Sequence, residues 1–347
     1  MKTYVQQFEE EWCKYIGVKY AITHNSGTSA LHTCLLAAGV GKGDEVIVPA
    51  LSPIMPAFAV LYCGATPIFA DVREETFNID WTDVDRKITD KTKVIIGINL
   101  YGLPMTDFLP YAIHRIVIED SAECVLPNME IRGDMAIFSF ERTKHLSTGE
   151  GGMAVTNNPE LAERIRKFGG IGYKHLTAEL GRTEANPDTF HDPDYKRHDV
   201  VGYNYRMSEL CAQEGYLACR FWLTTPVKQR QRQGKLYEEA IKDCKWLRPQ
   251  FVPEGYRHSY FTYAVVLERD DIKWKDFYNK FKELSGDTFY AAWSLPYQEP
   301  ALKDYTGDCP VAEYLQPRMM QFKTNYKTIK EAEQKAGALN KTIRWFE

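Results

Sequence analysis

Several features that would place a chain in a specialised class are missing from this 347-residue sequence. No apolar run approaches the roughly 18 residues of a membrane span. The N-terminal MKTYVQQFEEEW carries Glu where a signal peptide needs an apolar stretch. The net charge is −4, from 43 Lys and Arg against 47 Asp and Glu, whereas nucleic-acid binding needs clustered positive charge. We therefore expect a cytoplasmic protein that binds neither nucleic acid nor membrane.

Metal-binding and nucleotide-binding motifs are missing as well. The eight Cys form no CxxC pair and are interpreted as buried free thiols in a reducing compartment. His191, Asp192, Asp194 and His198 have a spacing that fits no standard metal site, so we expect a solvated or interface loop and no metal. Neither GxGxxG nor a P-loop motif occurs.

What the sequence does contain is a long alternation of apolar strands and helices. Val5, Phe8, Trp12 and Tyr15 predict an amphipathic helix over residues 4–16 that ends at Gly17. A strand at KYAIT and a helix at SGTSALHTCLLAAG follow. Further strands are predicted at DEVIVPA, TPIFADV, KVIIGINL, RIVIEDSA, DMAIFSF and GMAVTN. Continuous apolar strands separated by helices predict an α/β fold with a mostly parallel sheet covered on both faces.

The pattern changes after about residue 175. Residues 177–199 are polar, include Gly181, and predict a long excursion; a helix is predicted from Ser208 to about Leu223. We expect Pro226 to mark a hinge region. We therefore predict a large domain over residues 1–222 and a smaller C-terminal α/β domain over residues 223–347.

Three segments carry groups capable of chemistry. Asp120 ends the apolar strand RIVIED, at the edge where ligands of parallel sheets collect. Lys144 follows the strand FSF and precedes a glycine-rich GEGG loop; a desolvated lysine amine is what Schiff-base chemistry requires. Small residues in SGTSALH open a helix whose free N–H groups and dipole suit an anion such as phosphate, to which Ser139 could add a hydroxyl.

Each segment alone also has an ordinary explanation. Asp120 could be a helix N-cap, Lys144 a solvated surface residue and SGTSA a simple capped helix. Together they match the demands of pyridoxal phosphate, since the helix holds its phosphate, the carboxylate keeps its pyridine nitrogen protonated and the lysine binds its aldehyde. The combination therefore favours a pyridoxal phosphate site.

The order of motifs resembles the sugar aminotransferases of the DegT/DnrJ/EryC1/StrS family, which are fold type I pyridoxal phosphate enzymes. The resemblance runs through most of the chain. It is carried by SGTSALH, GDEVIVP, GATPIFADV, VIEDSAE, FSFERTKHLSTGEGGMAVTN and GYNYRMSE.

The resemblance implies a role for each matching residue. Lys144 would bind the cofactor and shuttle protons, Asp120 would pair with the pyridine nitrogen, and Ala122 would lie against one ring face. Glu123 would lie next to the cofactor's phenolic oxygen, where many relatives have Gln or His and where relatives that look like perosamine synthases also have Glu. The implied phosphate ligands are Gly27, Thr28, Ser29, Ser139 and, from a neighbouring subunit, Asn204. A homodimer with shared active sites is therefore implied.

Two departures from the family pattern stand out. Pro53 falls where relatives commonly have an aromatic residue that stacks on the cofactor. The chain also begins almost directly at its first helix, whereas most relatives carry about 25 more residues before it, including a loop near the sugar site.

The implied reaction is transamination of a nucleotide-linked 4-keto-6-deoxy sugar with glutamate as amino donor, for cell-surface polysaccharide, O-antigen or glycan biosynthesis. Amination at position three of the sugar is the first alternative. Dehydration is a second, although related sugar dehydratases replace the lysine with histidine, and here His145 is merely the neighbour of Lys144. A non-catalytic regulatory role is the third. Arg257 and His258 are candidate contacts to a substrate phosphate or carboxylate, and aromatic residues such as Phe261 and Trp293 could line the cleft.

Overall fold

The computed structural model describes residues 2–106, 115–179, 187–285 and 287–347. Its strands are β1 Tyr20–His24, β2 Glu45–Pro49, β3 Thr66–Ala70, β4 Thr92–Ile98, β5 Ile116–Asp120, β6 Met135–Ser139, β7 Gly152–Thr156, β8 Leu247–Pro249, β9 Thr262–Leu267, β10 Tyr290–Ala291 and β11 Met319–Lys323. Its helices are α1 Tyr4–Ile16, α2 Gly27–Ala37, α3 Met55–Tyr62, α4 Trp81–Lys87, α5 Pro159–Gly169, α6 Pro187–His191, α7 Glu209–Phe221, α8 Thr224–Ile241, α9 Trp274–Ser285, α10 Pro310–Leu315 and α11 Ile329–Phe346.

A seven-stranded sheet forms the centre of the larger body. Its order is β1-β7-β6-β5-β4-β2-β3. Strands β6, β5, β4, β2 and β3 are parallel neighbours, and β7 runs antiparallel between β1 and β6. The predicted mostly parallel sheet is confirmed, and β5, which carries Asp120 at its end, lies in its middle.

Alternate residues of the central strands pack into different hydrophobic clusters. Val46 and Val48 of β2 join the cluster that contains α2 and α5, whereas Ile47 joins another cluster together with Trp81 of α4. On β6, Ile137 belongs to the first cluster, while its neighbours pack with α1 and α7. Because side chains alternate across a strand, this pattern shows that helices cover both faces.

Helix α1 begins and ends as its sequence predicts. Thr3 and Gln6 form a capping box, and Gly17 ends the helix with φ of 92°. Phe8 and Trp12 are fully buried and contact Phe140, the residue after β6. This contact anchors the start of the loop that carries Lys144.

A second, antiparallel sheet lies in the C-terminal third, in the order β10-β11-β9-β8. Residues of α8, α9 and α11 pack with it in one cluster, while Ala264 and Val266 of β9 join the core of the larger body. Pro226 lies in the first turn of α8, where proline breaks no intrahelical hydrogen bond. The domain boundary at residues 222 and 223 stays a prediction.

The polar excursion predicted for residues 177–199 is described only in part, since residues 180–186, which include Gly181, lie outside the described residues. Its described part contains α6 and His198, whose ring stacks on that of Tyr173 just before the excursion. Within the described ranges, no three His, Cys, Asp or Glu side chains come together as metal ligands. No helix in those same ranges is long and apolar enough to cross a bilayer.

Candidate active site

A cavity of about 540 Å³ opens at the edge of the central sheet where the parallel strands end. Its lining includes seven of the nine residues predicted from the sequence, namely Gly27, Thr28, Asp120, Ala122, Glu123, Ser139 and Lys144. This volume falls within the usual range of small-molecule sites. The topology brings these residues together from three separate segments of the chain.

The anion cradle is built by the register of β1, β7 and β6. Gly152 pairs with His24 on one side and Ser139 on the other, so the start of β7 lies between the ends of β1 and β6. A Cβ on Gly27 would lie 3.0 Å from Ser139 Cβ, and one on Gly152 would lie 2.2 Å from the Ser26 carbonyl oxygen. Glycine at both positions therefore allows the close approach of α2 to β6 and β7.

Ser26 and Ser29 form a capping box at the start of α2. The Ser29 hydroxyl donates to Asn25 Oδ1 at 2.7 Å, and Ser29 does not line the cavity. Among the described residues, the N–H groups of Gly27 and Thr28 meet no acceptor, as expected for the first turn of a helix. The structure thus leaves two amides for an anion, and a phosphate contact from Ser29 stays a prediction.

Asp120 is a buried carboxylate at the end of β5. Its Oδ1 accepts from the Ala122 N–H at 3.0 Å. Burial raises the pKa of Asp120 to about 6, while the nearby charge of Lys144 lowers that pKa and the charge of Glu123 raises it. A carboxylate in this state is suited to a cationic partner inside the cavity.

Lys144 lies in the loop after β6 and points into the same cavity. Its Nζ is 3.8 Å from Glu123 Oε1 and 4.4 Å from the centre of the Phe261 ring. The Lys144 side chain is 16% exposed, so the solvated-surface alternative does not describe it. The other Glu123 oxygen accepts from the Tyr101 N–H at 3.0 Å.

Other predicted positions lie elsewhere. Asn204 is exposed and does not line the cavity of its own chain. The Arg257 guanidinium donates to the Pro127 carbonyl oxygen at 2.9 Å, and His258 is buried with Nε2 2.9 Å from Gln250 Oε1. Neither of these two residues lines the cavity. Their roles as ligand contacts stay predictions.

The rest of the cavity wall comes from residues outside the predicted cofactor-binding set. Pro53 does line the cavity, together with its neighbours Leu51, Ser52 and Met55. Residues Arg230, Phe261, Trp293, Lys323 and Asn325 approach from the C-terminal third. Phe261 and Trp293 were proposed from the sequence as cleft residues because they are aromatic. Arg230 was not proposed, because no motif surrounds it in the sequence.

The residues present fit pyridoxal phosphate. Two free amides and the Ser139 hydroxyl suit its phosphate, the Asp120 carboxylate suits a protonated ring nitrogen, and the Lys144 amine suits its aldehyde. With the sheet order described above, these features define a fold type I pyridoxal phosphate aminotransferase.

The family model for the DegT/DnrJ/EryC1/StrS aminotransferase family matches residues 1–337. The chain belongs to this family and is a pyridoxal phosphate-dependent aminotransferase.

Similar proteins agree with this placement. A GDP-perosamine synthase of Escherichia coli O157:H7 is 41% identical over 283 residues, which are 78% of this chain and 72% of that protein. A UDP-N-acetyl-3-dehydro-alpha-D-glucosamine 3-aminotransferase of Acidithiobacillus ferrooxidans is 32% identical, over 90% of this chain and 81% of that protein. The crystal structure of an aminotransferase from Psychrobacter cryohalolentis superposes with a TM-score of 0.86 at 26% identity, over 97% of this chain and 90% of the other.

Proposed function

We propose that this enzyme transfers an amino group from glutamate to a nucleotide-linked 4-keto-6-deoxy sugar and releases the 4-amino sugar. The observation that carries the proposal is the single cavity in which Lys144, Asp120 and the first turn of α2 meet. The choice of sugar is supported by the similarity to GDP-perosamine synthase and by Glu123 beside Lys144. Asn325 adds a polar group that suits an acidic donor or a phosphorylated acceptor, and Lys323 adds a cation that is itself paired with Asp287 at 3.0 Å.

When bound, pyridoxal phosphate supplies an electrophilic aldehyde and a ring that draws electrons from the carbon losing a proton. The amides of Gly27 and Thr28 and the Ser139 hydroxyl would orient its phosphate. Asp120 would hold a proton on the ring nitrogen. Lys144 Nζ would carry the proton between carbon atoms, first from the donor and later in reverse to the sugar.

We also propose a homodimer with shared active sites. Large apolar side chains on the segment after the excursion are exposed, namely Val201, Leu210, Phe221 and Trp222. Asn204 lies between Val201 and Leu210 along the chain and does not line its own cavity. An exposed apolar patch of this kind is typical of an interface, and a two-fold partner would bring Asn204 to the neighbouring cavity.

Amination at position three of the sugar is the second candidate. The relative from Acidithiobacillus ferrooxidans has a name that specifies a 3-aminotransferase, and it matches a larger share of this chain than the perosamine synthase does. A cytoplasmic location and a role in cell-surface polysaccharide, O-antigen or glycan biosynthesis remain part of the proposal.

The central test is Lys144→Ala. We expect no measurable turnover of any keto sugar and no borohydride-trappable cofactor adduct, because the amine that binds the cofactor and moves the proton is gone. Lys303→Ala, at an exposed position, is the matched control and should keep full activity. Full activity in Lys144→Ala would refute the assignment.

The substrate is found by screening 4-keto and 3-keto sugars on different nucleotides, with glutamate as donor and mass detection of the product. A 4-amino product supports the proposal, and a 3-amino product selects the second candidate. A deoxy product without nitrogen would instead indicate a dehydratase. A purified protein without yellow colour and without an adduct on Lys144 would indicate a regulatory role.

A further inference from the structure

Arg230 is a buried guanidinium on the side of the cavity that the sequence motifs do not identify. It lies on α8, lines the cavity and is 5% exposed. Among the described residues no carboxylate forms an ion pair with it; its hydrogen bonds go to neutral oxygens instead. Burying a charge without an ion-pair partner has a large desolvation cost. We therefore look for a structural role that the planar guanidinium performs here.

The guanidinium joins two main-chain segments. Nη2 donates to the Thr143 carbonyl oxygen at 2.7 Å, and Nη1 donates to the Phe261 carbonyl oxygen at 2.7 Å. Thr143 immediately precedes Lys144, and the Phe261 ring lies 4.4 Å below the Lys144 ammonium. One planar side chain therefore fixes both the backbone before the lysine and the ring on which the lysine rests.

The residue after the lysine is held from the same side. His145 Nε2 lies 3.2 Å from the Ser259 carbonyl oxygen, and Ser259 in turn donates from its N–H to the Gly102 carbonyl oxygen at 2.8 Å. Burial lowers the pKa of His145 well below its ordinary value, so the imidazole is neutral and Nε2–H is the donor. The C-terminal third thus clamps the lysine loop on both sides of Lys144.

Burial lowers the pKa of Arg230 to about 10, and the charge of Glu123 opposes this shift. At neutral pH the guanidinium is still a cation with all its donors in place. A lysine, with a compact ammonium, could reach one of the two carbonyl oxygens but not span both.

We propose that Arg230 is a positioning residue that sets the place of the Lys144 amine in the cavity; this rests on the role of Lys144 under the proposed function. Arg230→Met should lower kcat about 100-fold, since a displacement of about 1 Å can cost that much, while the KM values for donor and sugar change less than about 3-fold. Arg230→Lys should recover about 10-fold of that loss. Arg232→Met, at an exposed position on the same helix, should leave both constants unchanged.

A second readout uses the cofactor-free protein and no sugar. Acetic anhydride labelling of Lys144, measured by mass spectrometry relative to exposed Lys303, should be at least about 3-fold faster in Arg230→Met because the loop is released. Arg232→Met should label like the wild type. This measurement does not depend on the substrate. A wrong substrate class can therefore be distinguished from a wrong role for Arg230.

Four results would overturn the proposal. They are unchanged labelling, unchanged kcat, a rise in KM with unchanged kcat (which would make Arg230 a substrate contact), and loss of the cooperative thermal transition in both Arg230 variants (which would make it structural). A fall in kcat together with faster labelling and partial rescue by lysine supports it.

Discussion

Asp120 is a carboxylate whose burial is costly in the cofactor-free protein. Its pKa rises from 3.8 to about 6, so between these values the folded chain holds a proton that the unfolded chain has already released. The stability of the folded state therefore falls as pH rises through this window and is level above it. A bound cation at this position would offset the loss.

Asp120→Asn should stabilise the cofactor-free protein, because the amide needs no counter-charge. A pKa difference of roughly 2 units predicts a gain of about 3 kcal/mol in the free energy of unfolding above about pH 7, and about half of that near pH 5. Urea unfolding of both cofactor-free proteins at the two pH values measures it. Exposed Asp304→Asn is the control, and a gain independent of pH would contradict the assigned ionisation.

At the same scale, the motifs identified which residue types meet in the site but not how each is used. An apolar strand ending in a carboxylate was enough to place Asp120 in the cavity. The Ser29 hydroxyl accepts from the Ser26 N–H and donates to Asn25 Oδ1 in the cap of its own helix, and sequence cannot separate a capping hydroxyl from a ligand-binding one. Arg230 lies 86 residues beyond Lys144 along the chain, so only tertiary packing reveals their relation.

Among the elements, the contact of α2 with β7 decides the shape of the anion cradle. A Cβ at Gly152 would lie 2.2 Å from the Ser26 carbonyl oxygen and 2.6 Å from the Gly27 nitrogen. Both are backbone atoms, which cannot rotate away, so the helix start would have to move.

Gly152→Ala should lower cofactor affinity about 10-fold and the free energy of unfolding by about 1–3 kcal/mol, as overpacking does. Isothermal titration and urea unfolding measure the two effects. Gly337→Ala in α11 is the matched control, because its Cβ would meet no atom within 4 Å and should stabilise the helix by roughly 0.5–1 kcal/mol. If Gly152→Ala binds the cofactor as tightly as the wild type, then movement of the start of α2 does not weaken phosphate binding, and the prediction is wrong.

The strands of the larger body were predictable because each is a short, continuous apolar run, whereas α3, α4 and α5 were expected only as helical or turn segments between strands. Helix α7 begins after Ser208 as its capping residue predicts. The course of the chain after residue 222 was not predictable in the same detail. Strands β8 and β10 have only three and two residues, too few for a periodic signal.

At the scale of the whole molecule, the exposed apolar side chains of Val201, Leu210, Phe221 and Trp222 allow a prediction about the oligomeric state. Leu210 is 80% exposed on α7, and Leu210→Glu should convert a dimer to a monomer, since a buried unpaired charge is strongly unfavourable at an interface. Sedimentation velocity measures the oligomeric state of the wild type and of the variant. Activity should fall at least about 10-fold if the partner's Asn204 helps to hold the phosphate.

The matched control is Leu284→Glu, an exposed leucine on α9 away from this patch, which should remain dimeric and active. A wild-type protein that sediments as a monomer, or a dimeric Leu210→Glu variant, would contradict the proposed interface.

The clamp that Arg230, Ser259 and Phe261 place on the lysine loop also has a consequence for biosynthesis. A nascent chain that has emerged only as far as α7 already contains the cradle, the carboxylate and the lysine, but none of these three later residues. If the clamp positions Lys144 as proposed, we expect a chain that has emerged only as far as α7 to capture vitamin B6 less firmly than the full chain does.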